Sequence, residues 1–459
     1  MARHRQENSV ENRTFYKTVL ALVLPMALQN LINVGVQSAD VIMLGRVGES
    51  AISAASLAGQ VQFVMMLVLF GLSSGASVLT AQYWGKGDVR AIERIIAISL
   101  RISVAVALVF FLAAELFPYS LMRIFTSDTA VIEGGVSYLR FVAPGYLIIS
   151  FTNTYLNILR SVEKVKFPAL VYSVSLVSNI ILNAVFIFGL MGVPAMGVAG
   201  AALATTLSRV IELFIVAVYA SRNRLVRLRK EHFFSRHTVL MKDFMKYSMP
   251  TTLNELLWGT GVAMNTVIIG HLGTQVVAAN SVAQVMRQLA MVVSFGVANA
   301  TAILVGKAIG AGSEEQARRN ASRLIRVALA MSAAGSALIF LLRAPVAGMM
   351  ELSPEADGYL RYLLVLMNVF VLLQGYNATM IVGVFRGGGD TKFGLYVDAG
   401  TMWCGSIVLG ALAAFVFRFP VKWVLAILML DEVAKMPLSA IRFKSGRWLR
   451  NVTRDNIGG

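Results

Sequence analysis

The chain has 459 residues, of which 57% are hydrophobic and only 14% are charged. Soluble domains carry about 25% charged residues, so this composition excludes an ordinary soluble protein and indicates a protein embedded in a lipid bilayer. The formal net charge of +17 lies mostly in short loops between apolar runs, which argues against nucleic-acid binding and is typical of cytoplasmic membrane loops.

The polar N-terminal stretch ends at Lys17 and leads into an apolar segment with no small-residue cleavage site after it. We therefore interpret it as part of a retained first helix rather than a removed signal peptide. Charge-free runs follow, and the run from Phe167 to Ser208 is long enough to cross a bilayer twice, since one crossing takes about 20 residues. Because helices satisfy their own backbone in lipid, we predict twelve transmembrane helices, at residues 17–45, 50–84, 95–121, 136–159, 167–190, 196–220, 246–270, 276–309, 324–350, 362–385, 393–417 and 420–441.

Basic residues mark one side of the membrane. The loop at 190–196 has none, and the loop at 271–275 has only His271. The loop at 220–246 is instead strongly basic, with Arg222, Arg224, Arg227, Arg229, Lys230, Arg236, Lys242 and Lys246. Positive charge accumulates in cytoplasmic loops, so both termini are predicted to lie in the cytoplasm and the protein in the plasma (cytoplasmic) membrane.

The two halves of the chain repeat each other. A shift of 225 residues aligns Pro25 with Pro250 and brings five glycines onto glycines without a gap. Six helices in each half give both halves the same orientation, so the predicted fold is an all-α integral membrane protein of two parallel-repeat six-helix bundles around a central cavity. The predicted division is an N-lobe at 1–220, a basic cytoplasmic linker at 221–245, a C-lobe at 246–445 and a cytoplasmic tail at 446–459.

Two acids inside the predicted helices are the first candidate functional residues, because a charge in hydrocarbon is costly. Asp40 lies about 35 Å along the first helix from Lys17. Glu255 lies about 14 Å into the seventh helix, and no charge of either sign separates it from His271. We interpret both as cation or proton sites, with Glu255 expected to be unpaired. The alternatives are an interfacial Asp40 and a structural, protonated Glu255.

The repeat aligns Asp40 with Asn265 and Glu255 with Asn30, so each bundle carries an acid where the other carries an amide. Asn179 and Asn183 are four residues apart and share one helix face. With Asp40 and the Thr205 hydroxyl they could line a small oxygen-rich site. Ordinary hydrogen bonding between helices explains these residues equally well.

Other intramembrane charges are weaker candidates. Asp398 lies shallowly in the eleventh helix, where a functional and a structural role are equally supported. Asp431 and Glu432 can pair with Lys435 at helical spacing, which favours a structural role.

The sequence carries no enzyme signature, and we predict that the protein is not an enzyme. No phosphate-binding GxxxxGK[ST] motif is present, so ATP does not drive the chain directly. The single cysteine, Cys404, excludes a disulfide or multi-cysteine metal site built from this chain. No cofactor or resident metal is expected.

The chain resembles the multidrug and toxic compound extrusion (MATE) transporters over nearly its whole length. The resemblance lies in Leu24-Pro25 followed by Ala39-Asp40 and Leu44-Gly45, and in Leu159-Arg160. It continues in the segments Phe385-Arg386-Gly387-Gly388-Gly389-Asp390 and Gly197-Val198-Ala199-Gly200-Ala201-Ala202. The set of motifs in this order within twelve helices is more specific than any one of them.

The resemblance implies two lobes and a cation-coupling site, either proton or Na⁺, at Asp40, Asn179, Asn183 and Thr205, with Glu255 as the site of other relatives. Position 183, often aspartate in this family, is Asn183 here, which weakens the case for sodium. The stretch around Tyr376 and Asn377 lacks the acid that accompanies the glutamate in those relatives. Weaker candidates for lining the substrate cavity are Asn30, Asn265, Tyr376, Asn377 and Asp398.

The predicted function is secondary active export of small cationic amphipathic compounds against protons or sodium ions by alternating access. The protein is expected to act as a monomer in the lipid bilayer and to bind no nucleic acid. The alternative is a flippase for lipid-linked oligosaccharide or related lipid cargo, which would favour a strongly basic cavity. A membrane-embedded enzyme and a channel are less well supported, because no catalytic constellation is present and the repeats are typical of a carrier.

Overall fold

A computed structural model describes residues 2–223, 225–235, 237–350 and 352–455, so Arg224 and Arg236 of the basic linker lie outside the described residues. Twelve helical passes follow in chain order, and each coincides with one predicted helix. In the N-terminal half they are α1 Ala2–Gly45, α2 Glu49–Lys86, α3 Val89–Leu116, α4 Thr129–Ser161, α5 Lys166–Phe188 and α6 Gly197–Arg222. In the C-terminal half they are α7 Thr238–His271, α8 Thr274–Gly310, α9 Glu314–Met349, α10 Pro354–Phe385, α11 Thr391–Val416 and α12, made of Val421–Ile427 and Leu430–Ser445.

The predicted all-α class with twelve helices is confirmed. Nine of the described helices are long and apolar enough to cross a membrane by length and composition. The other three passes are α4 and α7, which lack a stretch of that length and apolar character, and α12, which is interrupted between Ile427 and Leu430. Short helices at Pro118–Phe125 and Lys230–Phe234 lie between passes.

The chain divides into two compact units. The N-terminal unit comprises Leu28–Tyr83, Asp88–Thr252 and the stretch that starts at Arg454. The C-terminal unit comprises the stretch that ends at Ala27, Trp84–Gly87 and Leu253–Thr453. Helix α1 therefore passes from the C-terminal unit to the N-terminal unit after Ala27, and α7 passes from the N-terminal unit to the C-terminal unit after Thr252. These points lie two residues after Pro25 and Pro250, and the repeat aligns them with each other. The lobe boundaries at 220 and 246 remain a proposal.

Each unit has its own apolar core. In the N-terminal unit, Met65, Ala107 and Leu139 are fully buried where α2, α3 and α4 pack together. In the C-terminal unit, Met291, Leu364 and Val424 are fully buried where α8, α10 and α12 pack together. These cores hold the helices that carry the polar residues described below.

One helix crossing in the N-terminal unit requires glycine. A Cβ atom on Gly71 of α2 would overlap the backbone of Thr252 on α7. The Thr251 hydroxyl donates to the Gly71 carbonyl oxygen at 2.7 Å, which uses this close approach. Small residues let membrane helices approach closely, so Gly71 fixes how α2 and the first half of α7 pack.

Candidate functional site

The structure brings together four of the residues predicted to couple a cation. The Asn183 amide on α5 donates to Asp40 Oδ1 of α1 at 2.5 Å and to Asn179 Oδ1 at 3.1 Å. The Asn179 amide donates to Thr205 Oγ1 of α6 at 3.4 Å. Asn179 and Asn183 are 2% and 0% exposed. The result is a buried polar chain that joins three helices of the N-terminal unit and ends on a carboxylate.

This arrangement follows from local sequence. Asn179 and Asn183 are one helical turn apart, so both side chains project from the same face of α5. Most of their neighbours along α5 are apolar, and the amides find their partners within α5 and on adjacent helices rather than in solvent. Because one amide group supplies both donor and acceptor, two asparagines in series can link a hydroxyl to a carboxylate.

An acid–base pair on α6 lies next to this chain and was not among the predicted site residues. Arg209 Nη1 donates to Glu212 Oε2 at 2.6 Å, and Ser175 Oγ of α5 donates to the same oxygen at 3.2 Å. The positive charge of Arg209 also acts on the Asp40 carboxylate. The signal available in the sequence was an arginine and a glutamate three residues apart within an apolar helix.

Two acceptor oxygens in this region have no donor within the part of the chain that the structure describes. They are Asn183 Oδ1, beside Asp40, and Glu212 Oε1, beside Arg209. A buried acceptor left without a donor costs about 1–3 kcal/mol. Each of these two oxygens can still accept a hydrogen bond.

Glu255 is not unpaired, which corrects the expectation from sequence. Arg386 Nη2 donates to Glu255 Oε1 at 2.6 Å, and the two side chains are 4% and 12% exposed. The expectation was wrong because Arg386 lies far along the chain, just after the end of α10. The predicted coupling role of Glu255 stays a prediction, and it now concerns a buried ion pair.

Lys435 on α12 gathers three carboxylates in the C-terminal unit. Its Nζ lies 2.7 Å from Asp398 Oδ1, 2.8 Å from Asp431 Oδ2 and 3.2 Å from Glu432 Oε1. The pairing expected within α12 is therefore present, and Asp398 of α11 joins it. The Asn377 amide of α10 donates to Glu432 Oε2 at 2.7 Å, so the cluster links three helices.

The weaker cavity candidates separate in the structure. Asn265 lines a cavity of about 260 Å³ inside the C-terminal unit, whereas Asp398 is absent from its described lining. Asn377 is 2% exposed and bonds Glu432. Tyr376 packs against the apolar cluster around Phe385, and Asn30 is half-buried on α1.

Twelve helical passes with polar networks buried inside two helical units define a multi-pass membrane transporter. The family model for MatE matches residues 25–185 and again residues 250–416, so the chain belongs to the MatE family. The two matched segments correspond to the two repeats seen in the sequence.

The curated relatives cover nearly the full length. The chain is 24% identical to the probable multidrug resistance protein NorM of Thermotoga maritima, over 96% of this chain and 95% of the relative. It is 23% identical to the uncharacterized transporter YisQ of Bacillus subtilis, over 96% of each. A probable NorM of Bradyrhizobium diazoefficiens is 27% identical, over 89% of this chain and 86% of the relative.

Solved structures show the same fold. A multidrug resistance MATE family transporter in an outward-facing conformation matches with a TM-score of 0.84 at 22% identity, over 94% of this chain and 96% of that one. A transporter of the MOP superfamily from Pyrococcus furiosus, described as having a binding pocket of reverse polarity, matches with a TM-score of 0.85 at 22% identity and the same coverage.

Proposed function

We propose that the protein is a secondary active multidrug exporter that moves small organic cations out of the cell in exchange for protons or sodium ions. Membership of the MatE family and the names of the multidrug resistance relatives support export of drug-like molecules. The observation that carries the coupling proposal is the buried Asp40 carboxylate at the end of the polar chain through Asn183, Asn179 and Thr205.

The charges around Asp40 favour binding of a monovalent cation. Asp40 and Glu212 are two acids, and among the described residues the base Arg209 pairs with Glu212 and acts through its charge on Asp40. With all three ionised, this group carries one net negative charge inside a membrane bundle. Such a charge is costly in a low-dielectric region unless it is neutralised. A proton or a sodium ion would neutralise it.

The oxygen atoms offer a place for that ion. The Asn183 amide contacts the Asp40 carboxylate through its nitrogen, and its Oδ1 has no donor in the described part of the chain. A sodium ion prefers such hard oxygen ligands, whereas a proton would need only the carboxylate. Asn183 in place of a second carboxylate favours the proton, since it leaves one ionisable group in the chain.

Coupling then follows from alternating access. An ion bound at Asp40 removes the net charge and allows the carrier to return, and release of the ion allows a substrate cation to be taken up. We place both termini in the cytoplasm on the basis of the basic loops, and the protein in the cytoplasmic membrane as a monomer.

The test is ethidium transport by the purified full-length chain in proteoliposomes, with proton and sodium gradients imposed separately. We expect one gradient to drive transport and Asp40→Asn to abolish it. If neither gradient drives ethidium movement in correctly inserted protein, the exporter proposal is wrong, and fluorescent lipid-linked cargo would then test the flippase alternative in the same vesicles.

A further inference from the structure

The cavity inside the C-terminal unit is lined by residues of α7, α8, α10, α11 and α12. Its volume of about 260 Å³ lies just below the range of about 300–1,000 Å³ typical of drug-sized ligand sites. Trp258, Phe370 and Met402 give it aromatic and thioether walls. These walls suit a compact apolar body rather than a large amphipathic dye.

One carboxylate oxygen on the cavity wall is open. Asp431 lines the cavity, and its Oδ2 is held by Lys435 at 2.8 Å. Within the described residues no donor bonds its Oδ1. Glu432 also lines the cavity, but Lys435 and Asn377 occupy its two oxygens. Asp431 is therefore the acid that can bind a ligand directly.

A second open acceptor lines the same cavity. Asn265 Oδ1 is buried and has no donor among the described residues. The amide oxygens of Gln284 and Gln374 are by contrast already used, since Arg287 donates to them at 2.7 and 3.0 Å. The open acceptors therefore come from α7 and α12, and a ligand must bring donors to them.

The charges of this region agree with a cationic ligand. The three carboxylates at Asp398, Asp431 and Glu432 face two basic groups, Lys435 and Arg287. One net negative charge remains when all are ionised. A ligand with a single positive charge would neutralise it.

We propose that this cavity binds compact amines whose ammonium group carries N–H donors, with the ammonium between Asp431 Oδ1 and Asn265 Oδ1 and the apolar body against Trp258 and Phe370. Protonated primary and secondary amines satisfy both acceptors. A quaternary ammonium ion has the same charge but no N–H, so it leaves the acceptors without donors. The proposal rests on the proposed export function and narrows its substrate class.

The repeat gives this site a specific relation to the coupling site. A shift of 225 residues places Asn265 at the position of Asp40. The N-terminal unit thus has an ionisable group where the C-terminal unit has an uncharged acceptor. In this arrangement the first unit handles the driving ion, and the second selects the amine.

The test is calorimetric binding to the full-length chain in detergent, with phenethylamine and phenethyltrimethylammonium as probes. These share one apolar body and one charge. A charge-assisted hydrogen bond discriminates by roughly tenfold or more, so we expect phenethylamine to bind at least about tenfold more tightly. Equal affinities for the two probes would overturn the proposal.

Matched variants locate the site. Asp431→Asn and Asp398→Asn each remove one carboxylate from Lys435, but only Asp431 lines the cavity. Both substitutions remove the same negative charge from the region, so we expect Asp431→Asn to weaken phenethylamine binding at least about threefold more than Asp398→Asn does, because only Asp431→Asn also removes the direct contact with the ammonium. Asn265→Leu, which leaves the ion pairs intact, should lower the preference over the quaternary probe and keeps the test valid if Asp431→Asn does not fold.

The outcome separates this proposal from the function itself. If ethidium is exported under an ion gradient but Asp431→Asn and Asn265→Leu bind both probes as the unaltered protein does, the cavity proposal is wrong and the exporter proposal stands. If amines bind as expected but no gradient moves either probe, the site is correct and the proposed antiport is wrong.

Discussion

Arg386 and Glu255 form a buried ion pair of 2.6 Å, and at the equivalent place in the other repeat an arginine is paired with an uncharged amide. There Arg160 Nη1 donates to Gln29 Oε1 at 3.0 Å. The shift of 226 residues that aligns the two arginines also aligns Gln29 with Glu255, one residue before Asn30, which is the counterpart of Glu255 at the shift of 225. Both repeats therefore attach the arginine at the end of their fourth helix to their first helix, one through an ion pair and the other through a hydrogen bond to an amide.

The ion pair leads to a prediction about stability. Glu255→Gln removes a negative charge that faces a buried guanidinium, and breaking a buried pair from one side costs about 3–5 kcal/mol. We expect a comparable loss in the free energy of unfolding, measured by denaturant titration in detergent. Glu315→Gln is the matched control, since its pair with Arg319 has a similar length of 2.7 Å but is exposed, and should cost less than about 1 kcal/mol. Equal losses in the two variants would contradict a buried pair.

Asp40→Asn should abolish ion-driven transport while leaving the fold intact. The substituted amide still offers an oxygen to Asn183, so the polar chain through α5 keeps its acceptor. What disappears is the ionisable group. We expect transport in proteoliposomes to fall to the level of empty vesicles, with a thermal midpoint close to that of the unaltered protein. Asp357→Asn, which breaks a pair with Arg361 near the start of α10, should transport normally. Gradient-driven transport by Asp40→Asn would remove this residue from the mechanism.

Gly71→Ala tests the close packing of α2 against α7. The added methyl would overlap the Thr252 backbone, and overpacking costs typically about 1–3 kcal/mol. Gly59 lies on the same helix with open space where a Cβ would project. Gly59→Ala should therefore be neutral or stabilising by up to about 1 kcal/mol through helix propensity. The thermal midpoints of the two variants test this prediction. A Gly71→Ala protein as stable as Gly59→Ala would argue against close packing of Gly71 on the Thr252 backbone.

Much of the fold could be predicted from the sequence, because a run of about 20 apolar residues indicates one membrane crossing. Basic loops between such runs indicate the cytoplasmic side. The prediction of the helices, and of a site formed by Asp40, Asn179 and Asn183, rested on local spacing together with the family resemblance. The partner of Glu255 could not be predicted from local spacing, because Arg386 is 131 positions away and only tertiary packing brings the two side chains together. The break in α12 at Leu428 and Met429 was likewise missed, because no proline or glycine marks it.

The candidate site was found only in part for a similar reason. Asp40 stood out because it was an isolated charge in an apolar run. Arg209 and Glu212 neutralise each other three residues apart, and such a pair gives a weaker signal than a single acid. The role of Asn265 depends on an oxygen that has no donor within the described structure, which sequence cannot show.

The linker between the two repeats should become less stable at low pH. Burial, followed by the positive charge of Arg94, lowers the pKa of both His232 and His237 below the ordinary value of 6.5. Glu93, 3.9 Å from His232, opposes the shift but does not reverse it. Because the folded pKa is the lower one, the stabilising contribution is present above pH 6.5 and is lost as the pH falls through the folded value.

The same region shows what acid would disturb. Glu93 of α3 accepts from the Arg227 backbone at 2.9 Å, and Arg101 donates to the carbonyl of Phe233 at 3.1 Å, so the linker is held on α3. Protonated histidines would place new positive charge beside Arg94 and weaken that attachment. We expect the thermal midpoint to fall more steeply between pH 7 and pH 5 for the unaltered chain than for the double variant His232→Gln/His237→Gln. Parallel curves for the two proteins would show that these histidines do not stabilise the linker.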